Sequence, residues 1–269
     1  MRPMEAFDYL NAYYSNYDED GRLASKHGQV EYLTTMRYIT RNLKKGMRLL
    51  EIGAGTGRYA HTLSRMGYSV DAVELIPHNI EIFKSNTQAG ENISIRQGNA
   101  LNLESFENET YDITLMLGPM YHLYTMADQL QAISEALRVT KPGGTVFVAY
   151  CISDASVIDH GFKRGFAPQL IEKQMMDPDT FKTFSTPADL FQLYRKEDID
   201  ALLAHFPVAR CNYVATDLMT NHMRETVDAM EDSLFELYLK YHYSICERPD
   251  MVGLTHHSLD IFEKTAARS

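Results

Sequence analysis

The spacing of apolar and polar positions changes period several times along the chain. Residues 5–17 place Tyr9, Tyr13, Tyr14 and Tyr17 along one stripe of a helix, which the DEDG run at 18–21 breaks. Helical spacing returns over 30–43 and closes on Lys-Lys-Gly, with cations in the last turn. The period then shortens. Residues 47–53, MRLLEIG, form a brief apolar run entering glycine and read as a buried strand. A helix over 56–66, a strand over 68–75 and a helix from Pro77 to about residue 89 follow. Strands are predicted at 93–98, 111–118 and 145–152, with a helix over 127–139 before the last, closed by Lys-Pro-Gly-Gly. Repeated strand–helix alternation predicts a parallel sheet with right-handed crossovers. Beyond residue 152 the rhythm is lost. Residues 153–187 mix Phe162, Phe166, Phe181 and Phe184 with Lys, Asp and Pro. Helical spacing resumes over 189–205 and as one long stretch over 220–245, with strands at 208–216 and 256–264. There is no internal repeat, low-complexity tract or flexible linker.

Composition narrows the field. Hydrophobic residues make up 45% of the 269 positions and charged residues 23%, an ordinary globular balance. Lys and Arg number 26 against 36 Asp and Glu, so the net charge is −10. That argues against nucleic acid or an anionic membrane as partner, since both demand excess cations. Cys151, Cys211 and Cys246 are too few and too scattered for a disulfide framework or a paired-Cys zinc site. No metal site is predicted. No apolar run reaches the roughly 18 to 20 residues of a membrane span, and the polar, acidic N-terminus carries no signal-peptide core. A cytoplasmic protein is expected. A doubly wound core needs about 150 to 200 residues, so part of the chain serves another purpose.

The strongest local signal is LLEIGAGTGRYA at 49–60. A strand runs into Gly53, Gly55 and Gly57 and a helix follows. Glycine permits a tight turn and close approach to a ligand, and the helix start offers free N–H groups. At the end of the next strand stands Glu74, which can accept both hydroxyls of a ribose. A dinucleotide fingerprint spaces its last two glycines three residues apart; here Gly57 follows Gly55 by two, and Glu51 precedes Gly53 by two.

This E-x-G-x-G-x-G pattern resembles the first motif of class I S-adenosylmethionine-dependent methyltransferases. QGNAL at 97–101, YDITLMLGPMYHL at 111–123 and RVTKPGGTVFVAY at 138–150 resemble the family's later motifs in order and spacing. The resemblance covers residues 45–152. It implies S-adenosylmethionine as cofactor, with S-adenosylhomocysteine as product. It implies a cofactor site of Glu51, Gly53, Ala54, Gly55, Gly57, Glu74, Leu75, Asn99, Ala100, Leu117 and Gly118, with Tyr17 added from the N-terminal segment. Glu51 is expected to orient the glycine loop and reach the methionine amino group through water. Asn99 stands where the family has Asp, so its amide oxygen would meet the adenine amino group. The resemblance also implies a Rossmann-like α/β fold of about seven strands in order 3-2-1-4-5-7-6, the last antiparallel.

The methyl acceptor is expected beyond the carboxyl ends of strands four and five. There the chain reads Leu117-Gly118-Pro119-Met120-Tyr121, not the Asn/Asp-Pro-Pro-Tyr of base-amine methyltransferases. LGPMYHL is similar to bacterial enzymes acting on small molecules. His122 is the candidate base or acceptor-orienting residue, or a loop histidine held by a neighbour. Tyr121 and Tyr14 are the other catalytic candidates. Tyr150 reads either as a substrate-orienting hydroxyl or as core packing, and Cys151 reads as core. Adjacent strand positions turn His256 and His257 to opposite faces, so one of them can reach a pocket. The N-terminal tyrosines either cover the pocket with aromatic faces that attract cations or simply dock a helix on the sheet. Arg22, His27 and Arg37 either bind an acidic group of the acceptor or pair with residues 18–20.

The chain therefore divides into an N-terminal helical lid (1–44), a cofactor-binding core (45–152), a cap insertion (153–206) and a C-terminal part of the sheet (207–269). The expected activity is methyl transfer to a small molecule. A nicotinamide-dependent oxidoreductase is disfavoured by the glycine spacing. A non-catalytic cofactor-binding or partner protein, and a methyltransferase acting on a protein, remain open, as does a homodimer.

Overall fold

A computed structural model describes residues 4–17, 21 and 23–265; Arg22 and residues 18–20 lie outside the described residues. Helix α1 (Ala6–Tyr14) precedes α2 (Lys26–Asn42). The chain then alternates β1 (Arg48–Ile52), α3 (Arg58–Arg65), β2 (Ser69–Glu74), α4 (Pro77–Asn86), β3 (Ile93–Gln97), β4 (Tyr111–Met116), α5 (Met126–Val139) and β5 (Thr140–Ile152). A short helix α6 (Ser153–Ser156) passes into a π-helical turn (Val157–Lys163), and α7 (Ala167–Glu172) follows. The C-terminal part holds β6 (Leu193–Tyr194), α8 (Lys196–Leu203), β7 (Val208–Ala215), α9 (Arg224–Asp228), α10 (Asp232–Ile245) and β8 (His257–Lys264).

The sheet runs β3-β2-β1-β4-β5-β8-β7. β1 to β5 are parallel, while β8 is antiparallel to both neighbours. The expected path is borne out, and the two higher strand numbers reflect one extra strand. That strand, β6, has two residues and pairs with Cys151 and Ile152, beyond Val148 where the pairing with β4 ends. Two residues carry too little period for a sequence pattern to show.

Both faces of the sheet are covered, so the central strands are apolar at nearly every position. Leu49, Val70, Ala72, Ile113, Leu115 and Phe147 pack with Ile39 of α2, Leu63 of α3 and Phe83 of α4. Alternate residues Leu50, Ile52, Val73, Met116, Val146 and Val148 pack with Ile133 and Ala136 of α5 and Ile199 and Leu202 of α8. Burying each such aliphatic side chain contributes about 1.5 to 3 kcal/mol. At the amino end of the strands Asp71 gathers Arg48, Ser94 and Tyr111, at 2.6, 2.5 and 2.9 Å. Burial pushes its pKa up, but these three partners outweigh that and hold it below the usual carboxylate range.

Two expectations need correction. Residues 220–245 form two α-helices, α9 and α10, rather than one. The break is held from outside: Lys26 reaches the Met230 carbonyl and pairs with Asp232 at 2.8 Å in the first turn of α10. The first helix also stops at Tyr14, so Tyr17 lies past its end.

The turn after β1 depends on missing side chains. Gly53 and Gly57 have φ of 70° and 91°. A Cβ on Gly53 would fall 2.7 Å from the Pro119 ring, and one on Gly57 2.4 Å from the Phe83 ring. Gly57→Ala therefore meets both left-handed strain and overlap, and should destabilise the fold by about 1 to 3 kcal/mol. Urea unfolding should show a lower midpoint with unchanged slope.

Candidate functional site

The carboxyl ends of β1, β2, β4 and β5 open into a cavity of about 1060 Å³. That stands at the top of the roughly 300 to 1,000 Å³ range of small-molecule sites.

At one end lies the glycine loop. Gly53 and Ala54 both donate their N–H to the Val73 carbonyl, tying the loop to β2. The Gly55 N–H donates to Glu74 Oε2 at 2.8 Å, and the Ile76 N–H to Oε1 at 2.9 Å. The Asn79 side chain and the Leu75 backbone also hydrogen-bond this carboxylate, so a ribose diol would share or displace one of these donors, and the flexible Asn79 side chain is the one able to yield. Burial raises its pKa despite those backbone bonds. Glu51 also lines the cavity, is only 2% exposed, and its Oε2 meets no hydrogen-bond partner among the described residues. Burial pushes its pKa to about 8, against a hydrogen bond from the Ala60 backbone. An orphaned buried carboxylate beside a glycine loop fits a cationic group on a ligand, such as an α-ammonium.

Leu75, Asn99, Ala100, Leu117, Gly118 and Tyr17 line the same cavity as Gly53, Ala54 and Gly55. Asn99 Oδ1 accepts the Leu101 N–H at 3.0 Å, which leaves one lone pair and the amide NH₂ for a ligand. Gly57 is the exception: it does not line the cavity and instead starts α3 in the left-handed conformation. A side chain there would overlap the Phe83 and His61 rings, which accounts for its glycine identity by packing.

At the other end stand the three catalytic candidates. His122 ends a 3-10 turn (Pro119–His122) and its Nδ1–H donates to the Leu190 carbonyl at 2.8 Å. A carbonyl cannot donate, so Nε2 is left as an acceptor, and the Tyr14 hydroxyl donates to it at 2.9 Å. Burial lowers the pKa of His122 to about 4, so the ring is neutral at physiological pH. Tyr13 stacks on Tyr17 and meets Phe191 edge-on, which lays the α1 tyrosines over this end. Tyr121 is buried beside His122, its ring 6.2 Å from that of His257.

Sequence reasoning missed Leu190, Glu31 and Asp217. The Leu190 carbonyl also accepts the Tyr124 hydroxyl at 2.7 Å, and Leu190 itself has a φ of 67°. That strain is held by β6 pairing and by Gln192 N–H donating to the Tyr121 carbonyl at 2.6 Å. Nothing in a leucine marks such a role. Glu31, Asp217 and His257 come together within 4.8 Å, from α2, the end of β7 and β8. Of the two adjacent histidines it is His257 that faces the cavity, while His256 packs on His222. His27 pairs with Asp228 at 2.7 Å and the Arg37 guanidinium lies over Tyr243, so the structure binds both to the protein.

The strand order and glycine loop define a Rossmann-like α/β domain of the methyltransferase kind. Comparison with known proteins agrees: residues 50–148 match a methyltransferase domain family. The chain is 33% identical over 148 residues to a ubiquinone biosynthesis O-methyltransferase of Methylocella silvestris, covering 55% of each. It is 33% identical over 108 residues to a demethylmenaquinone methyltransferase of Staphylococcus aureus, 39% of this chain and 43% of that one. These matches span about half the length of those relatives. A solved Thermotoga maritima S-adenosylmethionine-dependent methyltransferase, described as a possible histamine N-methyltransferase, shares the fold. Its TM-score is 0.59 at 16% identity, over 97% of this chain and all of that one. Residues 50–148 thus match a methyltransferase domain set in a Rossmann-like fold, and S-adenosylmethionine is the cofactor such a domain implies. Among the described residues no helix is long and apolar enough to cross a membrane.

Glu51 gives a test that needs no substrate. Its folded pKa of about 8 lies above the unfolded value near 4.5. Between those values the folded chain holds a proton the unfolded chain lacks, so this group's stability contribution is full below pH 4.5 and lost by pH 8. In Glu51→Gln that loss should vanish. The check is ligand-free unfolding at several pH values, comparing variant and wild type.

Proposed function

We propose that the protein transfers a methyl group from S-adenosylmethionine to a small-molecule acceptor. The observation that carries this reading is that one cavity joins the glycine loop, Glu51 and Glu74 to Tyr14, Tyr121 and His122. Glu74 takes the ribose hydroxyls while holding Gly55, and Glu51 takes the ammonium. The cofactor supplies a methyl already activated on a positively charged sulfur, so alignment and exclusion of water provide most of the rate.

His122 and Tyr14 do the orienting. A neutral Nε2 accepts a hydrogen bond from the acceptor's O–H or N–H in place of Tyr14, whose hydroxyl then adjusts to the bound acceptor. The α1 tyrosines cover the acceptor, and their faces favour the cationic sulfur. In this reading residues 1–44 and 153–206 supply lid and cap. Only α1 of the first segment does so, since α2 belongs to the core, and α8 of the second packs on the sheet.

The acceptor class is supported by the relatives, which are named for quinone biosynthesis. The −10 charge favours a small molecule over nucleic acid. A homodimer finds its best support in exposed Leu234, Leu237 and Tyr241 on α10. Three unpaired cysteines support the cytoplasmic location.

Calorimetric titration should detect binding of S-adenosylmethionine and S-adenosylhomocysteine. Glu74→Ala should weaken both by contacts worth about 1 to 3 kcal/mol. Binding of NAD instead would sink the reading, and cofactor binding without methyl transfer to any metabolite extract would favour the non-catalytic one. His122→Ala should lower turnover by about 10² or more at unchanged cofactor affinity. With a folded pKa of about 4, His122 should contribute no break between pH 6 and 8 and a fall as pH approaches 4. Rate profiles of wild type against the variant measure it.

A further inference from the structure

A second histidine faces the acceptor half of the cavity, in an environment opposite to that of His122. His257 opens β8 and lines the cavity. Its Nδ1–H donates to Asp217 Oδ2 at 2.7 Å, with Glu31 Oε2 3.4 Å from the same nitrogen. Asp217 is wholly buried and cannot turn away. Oδ1 accepts the Thr255 hydroxyl at 2.5 Å and the His256 and His257 N–H groups at 2.9 and 3.2 Å. Oδ2 also accepts the Asn221 amide at 2.6 Å. With Nδ1 committed to Asp217, Nε2 is the ring atom left to meet a ligand.

We propose that His257, backed by Asp217 and Glu31, binds the oxygen of the methyl acceptor through Nε2–H, and that the acceptor is an acidic hydroxyl compound of phenol or enol type bound as its anion. The proposal rests on the methyltransferase reading above. Burial alone would lower the pKa of His257, but Glu31 and Asp217 outweigh it and raise it well above the ordinary value. Two carboxylates at Nδ1 favour the protonated, donating ring, whereas His122 is a neutral acceptor. Two histidines flanking Tyr121 with pKa values pushed apart divide the work: one holds the anionic oxygen, the other accepts a hydrogen bond from a neighbouring group. In the transfer the oxygen's electron pair forms the bond to the methyl carbon. The carbon–sulfur bond breaks with its pair going to the sulfonium sulfur. The acceptor has no proton left to lose in that step, and His257 keeps both of its own.

A divalent cation is the competing occupant of these three side chains. The hydrogen bonds argue against it. Asp217 spends both oxygens on five donors, and a metal would have to displace several of them.

The test uses 4-nitrophenol, whose anion absorbs in the visible and whose neutral form does not. With S-adenosylhomocysteine bound, the protein should bind this probe as the anion at a pH below the probe's own pKa. His257→Asn should bind it about tenfold more weakly or as the neutral phenol, with S-adenosylhomocysteine affinity unchanged. Glu31→Gln, which leaves the Asp217–His257 pair in place, should lower the anionic fraction and covers the case in which His257→Asn does not fold. Equal affinity and ionisation state in folded variants would overturn the proposal. So would failure of the wild type to bind the probe while S-adenosylhomocysteine binds, or binding of Zn²⁺ or Mn²⁺ at the cluster that abolishes probe binding. Loss of S-adenosylhomocysteine binding by the wild type would instead count against the methyltransferase reading.

Discussion

The site depends on how closely two loops can approach at the carboxyl edge of the sheet. The glycine turn after β1 lies against Pro119 after β4, and a single Cβ on Gly53 would separate them. Glu74 then locks the turn by accepting the Gly55 N–H from β2. Those two contacts hold the glycine loop against the turn that carries Tyr121 and His122, while strand pairing on both sides places Glu51. The parallel strands make this possible because all of them deliver their ends to one edge.

Much of this was legible in the sequence, for a physical reason. Strands buried on both faces read as short apolar runs, and the glycine loop is confined to few residue types by sterics. So β1 to β5 and their order followed from pattern and resemblance, and the positions the resemblance names for a cofactor, Gly57 apart, line one cavity. What did not follow depends on contacts distant in the chain. Gly57 looked like a ligand-binding glycine, yet its partner is Phe83, 26 positions on. The 220–245 stretch has unbroken helical spacing, but Lys26 splits it. Strand β6 is too short to have a period, and the Leu190 carbonyl is a backbone group that any residue would supply. Glu31 and Asp217 were ordinary acidic residues until α2 and β7 brought them to His257.

The two cavity-facing histidines show how little the residue type says about charge. His122 has a carbonyl behind it and a phenol in front, so burial wins and the ring stays neutral. His257 has carboxylates behind it, so their attraction outweighs burial and raises its pKa. Each partner is fixed by other parts of the fold, Leu190 by β6 pairing and Asp217 by its five donors. The electrostatics of the acceptor end are thus a property of second-layer hydrogen bonds as much as of the histidines themselves.

Strand β6 gives these parts an evolutionary grammar. It takes the edge of β5 that β4 leaves open, and so anchors the excursion after residue 152 to the same strand that carries the core. The carbonyl that sets the His122 tautomer therefore belongs to the excursion, not to the turn in which His122 resides. A lineage that exchanged this excursion for another would alter the shape of the acceptor wall and the hydrogen-bonding polarity of its histidine in one event. The glycine loop would be untouched.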